Sequence, residues 1–293
     1  MQLARPARKG KTMTPTTTTI ATAAAAAPAT QALRPINNAR GNLLTDSLTM
    51  FKRCMLLNMR NPDGVGMAIV SPFLMMVLFG LIFGGATAMG RADYINFVAP
   101  AIMLISIGQS MIFTAISINK DLKTGIIDRY RSMPIAQPSI LVGHALASIV
   151  RSVIVALVVL GGALLVGFRP EASVGQWLIV TGLFLLFALA MTWIAILVGL
   201  SVKSEEAASS SVSMISLLPY LSSGFAPTET LPVGFRQFAE HQPLTPMVDA
   251  ARALMMGGST SNGEIGTAVI WWTAFSVIAA IIAIQAYSRK LAK

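Results

Sequence analysis

Six apolar segments constrain this sequence more than any other feature. They occupy residues 65–86, 97–118, 139–166, 177–202, 207–224 and 267–287. A helix needs about 20 mostly apolar residues to cross the roughly 30 Å hydrocarbon core of a bilayer. Only 12% of the 293 residues are charged, about half the share of an ordinary soluble domain. The sequence therefore predicts an all-α integral membrane protein with six transmembrane helices.

The distribution of basic residues predicts the orientation of these helices. With the N-terminus in the cytoplasm, 17 of the 22 Lys and Arg residues lie on the cytoplasmic side, four lie outside, and Arg151 lies within the third helix. The acidic residues divide evenly, so the bias comes from the cations, as the positive-inside rule requires. An even number of spans also places the C-terminus in the cytoplasm. The net charge of +10 then encodes topology and requires no nucleic-acid partner.

Residues 1–41 contain Thr and Ala runs with six basic residues and no acidic residue. This composition predicts a disordered tail, because it cannot bury enough apolar surface to fold. A cleaved secretion signal is an alternative, but the Thr run at 16–19 interrupts any apolar core. The sequence leaves open whether Met1 or Met13 is the true start.

We expect residues 42–64 to form a second region, ahead of a six-span transmembrane domain at 65–293. An apolar stripe with spacings of four, three, four and four residues predicts an amphipathic helix over 43–60. The stripe consists of Leu44, Leu48, Phe51, Met55 and Met59. Such a helix can lie in the cytoplasmic membrane interface or pack on a cytosolic partner.

The polar segment between the fifth and sixth spans predicts two short helices. One begins at Pro232 and ends near Glu240; the other has Thr245 as N-cap and Pro246 at its first position, and ends at residues 257–258. Each is about half as long as a membrane-spanning helix. We expect them to re-enter the membrane from its outer face or to lie on that face.

The sequence offers little for catalysis. His144 and Arg151 are the only ionisable candidates in the six segments, and we expect a packing role for the first and a structural role for the second. The single cysteine, Cys54, excludes an internal disulfide and a cysteine-ligated metal cluster. No phosphate loop of the G-x-x-x-x-G-K-[ST] type occurs. The chain is therefore predicted to be no enzyme by itself and to hold no metal or cofactor.

The cytoplasmic segment 119–135 combines both charge signs with apolar residues, which suits a helix that docks in a groove of a partner. A solvated loop remains the alternative. The pattern D-L-x-x-G-x-x-D-R-x-R-S-x-P-I at residues 121–135 resembles the coupling segment of ABC type-2 exporter permeases, particularly the daunorubicin-resistance-type branch. Segments 60–63, 167–170, 204–208, 225–232 and 239–246 are similar as well. The similarity extends from about Leu43 to Lys293.

The resemblance implies a dimer of six-helix permeases in a bacterial plasma membrane, of like or unlike chains. Two separate nucleotide-binding ATPase subunits would bind ATP and Mg²⁺. Carried onto this sequence, the docking residues are Asp121, Gly125, Asp128, Arg129, Arg131, Ser132 and Pro134. The short outer helices would include Glu229, Glu240, His241, Pro243 and Pro246.

Two spans carry polar stripes at helical spacing, and these predict a translocation path across a dimer axis. The stripe of the second span contains Ser106, Gln109, Ser110 and Thr114. The stripe of the fifth span contains Ser209, Ser213, Ser216 and Tyr220. The alternative is that these hydroxyls bond to their own helix backbone or to neighbouring helices.

We therefore expect a permease subunit of an ATP-driven exporter that moves an amphipathic drug or lipid-like substrate out of the cytoplasm. A permease for a polysaccharide or glycolipid is the alternative within this class. From different classes, a membrane-embedded lipid-modifying enzyme is disfavoured by the missing intramembrane acids, and a scaffold for other membrane proteins stays open.

Overall fold

The computed structural model describes residues 42–60, 62–83, 90–131, 133, 135–225 and 232–291. The described residues contain no strand, and they confirm the all-α fold. The predicted tail 1–41 lies outside them.

Eleven α-helices make up the described part of the chain. They are α1 Leu43–Met59, α2 Pro62–Leu78, α3 Arg91–Ser110, α4 Ile112–Lys123, α5 Ile126–Arg131, α6 Ser139–Val166, α7 Val174–Ser201, α8 Glu205–Ile215, α9 Val233–His241, α10 Leu244–Met255 and α11 Asn262–Leu291. A π-helical turn, Phe79–Phe83, extends α2, and a 3₁₀ turn, Leu218–Leu221, follows α8.

Four segments of the described chain are long and apolar enough to cross a membrane. They are Ala92–Lys123, Ser139–Val166, Val174–Ser201 and Gly263–Lys290. A shorter apolar helix, Val70–Ile82, falls within the first predicted span. The fifth predicted span, 207–224, is divided between α8 and the 3₁₀ turn, where Pro219 cannot donate a backbone hydrogen bond.

The α3–α4 segment forms the centre of the helix assembly. Met111 is the only residue between the two helices, so they form one nearly continuous rod. In its apolar 18-residue window, 72% is buried, whereas the corresponding value for the Gly263–Lys290 segment of α11 is 28%. The α3 residues Val98, Ala99 and Leu104 have no exposed surface. Because α6 and α11 expose much of their apolar surface, they are suited to contact lipid or another membrane protein.

Helix α1 confirms the amphipathic helix predicted over 43–60. Asn42 caps it by accepting a hydrogen bond from the Leu44 backbone N–H at 3.1 Å. The packed face contains Met50 and Cys54, whereas the apolar stripe named above leaves Leu44 71% exposed and Met59 75% exposed. The stripe therefore lies away from the protein core.

The two short helices between the fifth and sixth spans are confirmed, but the predicted N-cap of the second is wrong. Pro232 caps α9 as expected, while Pro243 caps α10, so Thr245 is the second residue of the helix. The Thr245 hydroxyl donates to the Ala239 carbonyl instead of capping. Pro246 is the third residue of α10. Proline is tolerated there because the first backbone N–H groups of a helix need no intrahelical acceptor.

Candidate coupling site

The corner between α4 and α5 begins the candidate coupling site. Helix α4 ends at Lys123, and Gly125 adopts a φ of 66° before α5 starts at Ile126. This left-handed conformation is strained for residues with a Cβ, so glycine allows the chain to turn sharply here. The corner consequently presents α5 as a separate short helix at the end of the long α3–α4 rod.

Asp121, on the last turn of α4, binds side chains from two other helices. The two terminal guanidinium nitrogens of Arg53, Nη1 and Nη2, donate to the Asp121 carboxylate oxygens at 2.8 Å, and Arg53 lies on α1. The His144 Nε2 atom, on α6, lies 3.1 Å from Asp121 Oδ2. Asp121 is 5% exposed and His144 is 3% exposed. We call Arg53, Asp121 and His144 the buried triad; it joins α1, α4 and α6 at one point.

Arg53 is the charged member of the buried triad that also contacts α5. The hydrogen bonds from Arg53 to Asp121 raise the pKa of that guanidinium above its ordinary value, so Arg53 keeps its charge at any physiological pH. The Arg53 guanidinium carbon also lies 5.6 Å from the centre of the Tyr130 ring, on α5. This distance is within the range of cation–π attraction. Arg53 therefore contacts both helices of the corner.

A cavity of about 310 Å³ adjoins the buried triad. Its lining includes Arg53, Asp121 and Lys120, together with Ile126 and Glu205 from α5 and α8. Charged side chains of both signs thus surround a recess beside the corner, and a partner could place a polar or charged side chain in it.

The predicted docking residues do not share one environment. Asp121 differs from expectation, because its carboxylate bonds internally to Arg53 and His144 instead of facing a partner. Gly125 forms the turn, and Arg129 is exposed on α5. Asp128 and Arg131 also lie on α5, whereas Ser132 and Pro134 lie outside the described residues. Their role in docking stays a prediction.

Helix α1 packs very closely on α6 beside the buried triad. A Cβ atom at Gly143 would overlap the Met50 side chain and approach the Met50 backbone. Glycine is required there because the α1 backbone takes the space of a side chain. The two helices are therefore in direct backbone contact.

Part of the predicted path faces α6 within the same chain. The Ser110 hydroxyl lies 3.3 Å from that of Ser152, and the Thr114 hydroxyl lies 2.8 Å from that of Ser148. The buried Arg151 guanidinium donates to Thr114. These contacts give Arg151 the structural role expected of it.

The remaining path residues are distributed over three environments. Ser106 donates to the Ile102 carbonyl at 2.6 Å and Ser216 to the Val212 carbonyl at 2.8 Å. The Tyr220 hydroxyl lies 3.2 Å from the Met75 sulfur. The side chains of Gln109, Ser209 and Ser213 are only partly buried. A path along these residues stays a prediction.

Helix α10 carries a second, partly buried charge. Arg252, on α10, donates to the Phe97 carbonyl at 2.9 Å, to the Ser223 carbonyl at 2.8 Å and to Asp249 at 2.7 Å. Its guanidinium carbon lies 3.8 Å from the centre of the Phe97 ring. Burial lowers the pKa of Arg252, and the Asp249 carboxylate opposes this shift. Arg252 thereby connects α10 to α3 and to the 3₁₀ region.

The predicted outer-helix residues are more superficial than Arg252. Arg236 pairs with Glu240 at 2.7 Å on the exposed face of α9. The His241 Nδ1–H donates to the Gln237 carbonyl at 2.8 Å. The Pro243 carbonyl accepts a hydrogen bond from the Trp272 indole at 3.1 Å. Glu229 lies outside the described residues.

Sequence reasoning missed Arg53, Asp249 and Arg252 as site residues, and it gave His144 only a packing role. The available signal was the position of Arg53 on the polar side of the amphipathic helix, but its partner lies 68 residues away. Among the described residues, no three His, Cys, Asp or Glu side chains are grouped to hold a metal ion.

Several long apolar helices, with a charged helical corner at the end of the most buried one, define a multi-span membrane protein of the transporter-permease class. The family model for the ABC-2 type transporter matches residues 45–256. The chain belongs to the ABC-2 type transporter family.

Curated relatives agree with this assignment. The chain is 30% identical to the daunorubicin resistance ABC transporter permease protein DrrB1 of Streptomyces coeruleorubidus over 224 residues, which cover 75% of this chain and 78% of the relative. It is 24% identical to the probable doxorubicin resistance ABC transporter permease protein DrrC of Mycobacterium tuberculosis, over 76% of this chain and 80% of the relative. The resemblance to permeases of the daunorubicin-resistance type is thereby confirmed.

Proposed function

We propose that this chain is the permease of an ATP-driven drug exporter and that the α4–α5 corner couples it to the ATPase. As a member of its family, the chain is the membrane-spanning subunit of an ABC exporter. The names of its relatives support an amphipathic aromatic drug as cargo. ATP and Mg²⁺ would be bound by separate subunits, because this sequence lacks a phosphate loop.

The proposed topology has six spans, with both termini in the cytoplasm of a bacterium. Four long apolar helices supply spans two, three, four and six. The extended α2 would form the first span, and α8 with its 3₁₀ turn would form the fifth. Placing 17 of 22 cations on the cytoplasmic side supports this orientation.

One observation carries the coupling proposal: the corner is bonded to two other helices, α1 and α6, through the buried triad. An ATPase that moves α5 would displace the end of the α3–α4 rod, since only Thr124 and Gly125 separate the two elements. Through Asp121, the same displacement would reach α1 and α6. The assembly we propose contains two such permeases, of like or unlike chains, and two ATPase subunits.

Charge reversal on α5 tests the docking surface. We expect Asp128→Arg and Arg131→Glu to reduce co-purification with a co-expressed nucleotide-binding subunit by about tenfold or more, because like charges would face each other across the interface. Affinity pull-down from detergent-solubilised membranes measures the effect. Arg236→Glu reverses an exposed charge on α9 and should leave co-purification unchanged.

Undiminished co-purification of both α5 variants would contradict docking at the corner. Topology provides a second, independent check. An amine-reactive reagent that cannot cross membranes should label Lys123 only after the membrane is opened. Labelling of Lys123 from outside intact cells would place the corner on the wrong side for an ATPase.

The predicted path is tested at Ser213, which is partly buried on α8. We propose that Ser213→Trp reduces drug export by roughly tenfold, because the indole would narrow a path along this face of α8. Dye retention in intact cells measures export, with the amount of assembled complex determined in parallel. Met214→Trp places the same indole at a neighbouring position that is 75% exposed, and it should export normally. Equal export by the two variants would remove Ser213 from the path.

A further inference from the structure

A second cavity, of about 470 Å³, lies between α3, α7, α11 and the connection from α9 to α10. It shares no lining residue with the recess at the coupling site. Pockets that bind drug-sized molecules typically measure about 300–1,000 Å³. The cavity is thus large enough for most of such a molecule.

The walls of this cavity are apolar and aromatic. The Phe187 and Trp272 rings meet edge to face, with centroids 4.6 Å apart at an angle of 84°. Phe275 lies 5.7 Å from the Trp272 ring. Because the Trp272 indole N–H is already bonded to the Pro243 carbonyl, Trp272 has only apolar surface left to offer. Such walls favour a planar aromatic molecule.

One polar group in the lining has no partner among the described residues. Gln242 is 6% exposed, and its Nε2 atom makes no hydrogen bond. The backbone N–H of Gln242 bonds to the Phe238 carbonyl and fixes the residue at the end of α9. A buried amide without a partner is unfavourable. Because the Nε2 atom has almost no accessible surface, a ligand oxygen could satisfy it only after the side chain turns toward the cavity.

Among the described residues, the lining contains no Lys, Arg, Asp or Glu. His241 is its one titratable side chain, and its Nδ1 atom already bonds to the Gln237 carbonyl. A strongly charged group therefore has no counter-ion in the cavity. An alkyl chain would fill the space but would leave the Gln242 amide unsatisfied.

We infer that this cavity binds the planar aromatic part of the cargo, with a carbonyl or hydroxyl oxygen accepting a hydrogen bond from Gln242 after that side chain turns toward the cavity. The inference rests on the proposed function for the identity of the cargo, and it adds a binding site within a single permease chain. This site is separate from the serine path on α8, although Ser216 borders the cavity.

Binding of daunorubicin to the purified permease, without any ATPase, tests the site directly. The probe is fluorescent, and its anisotropy reports binding. Gln242→Leu should weaken binding by about tenfold, the usual effect of one lost hydrogen bond. The same variant should melt no earlier than the wild type, because it removes an unsatisfied polar group and keeps the side-chain volume.

Gln137→Leu is the matched control. Gln137 also has an unbonded side-chain atom, Oε1, but it does not line the cavity. Its affinity for the probe should equal that of the wild type. Gly108→Leu tests the volume, since a Cβ there would lie 3.6 Å from the nearest side-chain atom, Ser216 Oγ. The added side chain should occupy part of the cavity and strongly weaken binding.

Equal affinities for the wild type and Gln242→Leu would overturn the inference, as would a wild type that does not bind daunorubicin. Displacement of the probe by a saturated alkyl chain as readily as by unlabelled daunorubicin would also overturn it, because the cavity would then be a lipid site. Failure of the proposed function is distinguishable: the probe would bind, but no nucleotide-binding subunit would co-purify. If a nucleotide-binding subunit co-purified but the probe did not bind, only the cavity site would be refuted.

Discussion

Replacing Asp121 with alanine is expected to destabilise the permease by about 3–5 kcal/mol, the range for a buried ion pair that loses one partner. The carboxylate is 5% exposed and accepts three hydrogen bonds, two from Arg53 and one from His144. Its removal leaves the buried His144 imidazole and the partly exposed Arg53 guanidinium without their acceptor. Unfolding of the purified protein in detergent, followed by helical circular dichroism, measures the loss.

Two controls separate this effect from a general response to lost charge. Glu240→Ala breaks an exposed pair with Arg236 and should cost less than about 1 kcal/mol. The double variant Arg53→Met with Asp121→Leu replaces charge by apolar volume and should be more stable than Asp121→Ala. A double variant as unstable as the sum of its single changes would show that Arg53 and Asp121 do not interact.

Replacing Arg252 with methionine is expected to cost roughly 3 kcal/mol, because bonds to a charged donor are stronger than neutral ones. Arg252 donates to carbonyl groups of Phe97 and Ser223 and to the Asp249 carboxylate. Arg252→Lys should restore only part of the stability, since one ammonium cannot reproduce the planar fork of a guanidinium. The same unfolding measurement applies.

Arg169→Met is the comparison for Arg252. Arg169 also donates to two carbonyl groups, those of Leu164 and Phe168, but at the protein surface. Water can replace these bonds, so we expect a loss below about 1 kcal/mol. If Arg169→Met and Arg252→Met were equally destabilising, the connection between α10 and α3 would not depend on burial of the Arg252 side chain.

The sequence predicted elements whose apolar pattern is long and uninterrupted. The third predicted span, 139–166, coincides with α6, and the amphipathic helix over 43–60 matches α1 within one residue. The fifth span is less regular than predicted because Pro219 interrupts the hydrogen-bond ladder of an otherwise apolar segment. The start of α10 was misplaced because two prolines, Pro243 and Pro246, were both compatible with a first turn.

The candidate site was only partly predictable. Composition and motif located the corner, but they could not show that Asp121 points inward, since both faces of α4 carry polar residues. Its partners Arg53 and His144 lie 68 and 23 residues away along the chain, and such pairing depends on how α1 and α6 pack. The close contact between Gly143 and Met50 is likewise a property of two assembled helices.

The missing side chain at Gly143 has a mechanical consequence. Because Met50 fills the space in which a Cβ would stand, α1 cannot slide along α6 without separating from it. The two helices are therefore expected to move as one unit. In the proposed topology, a force applied to α1 at the cytoplasmic face, by lipid or by protein, would reach the membrane interior through α6.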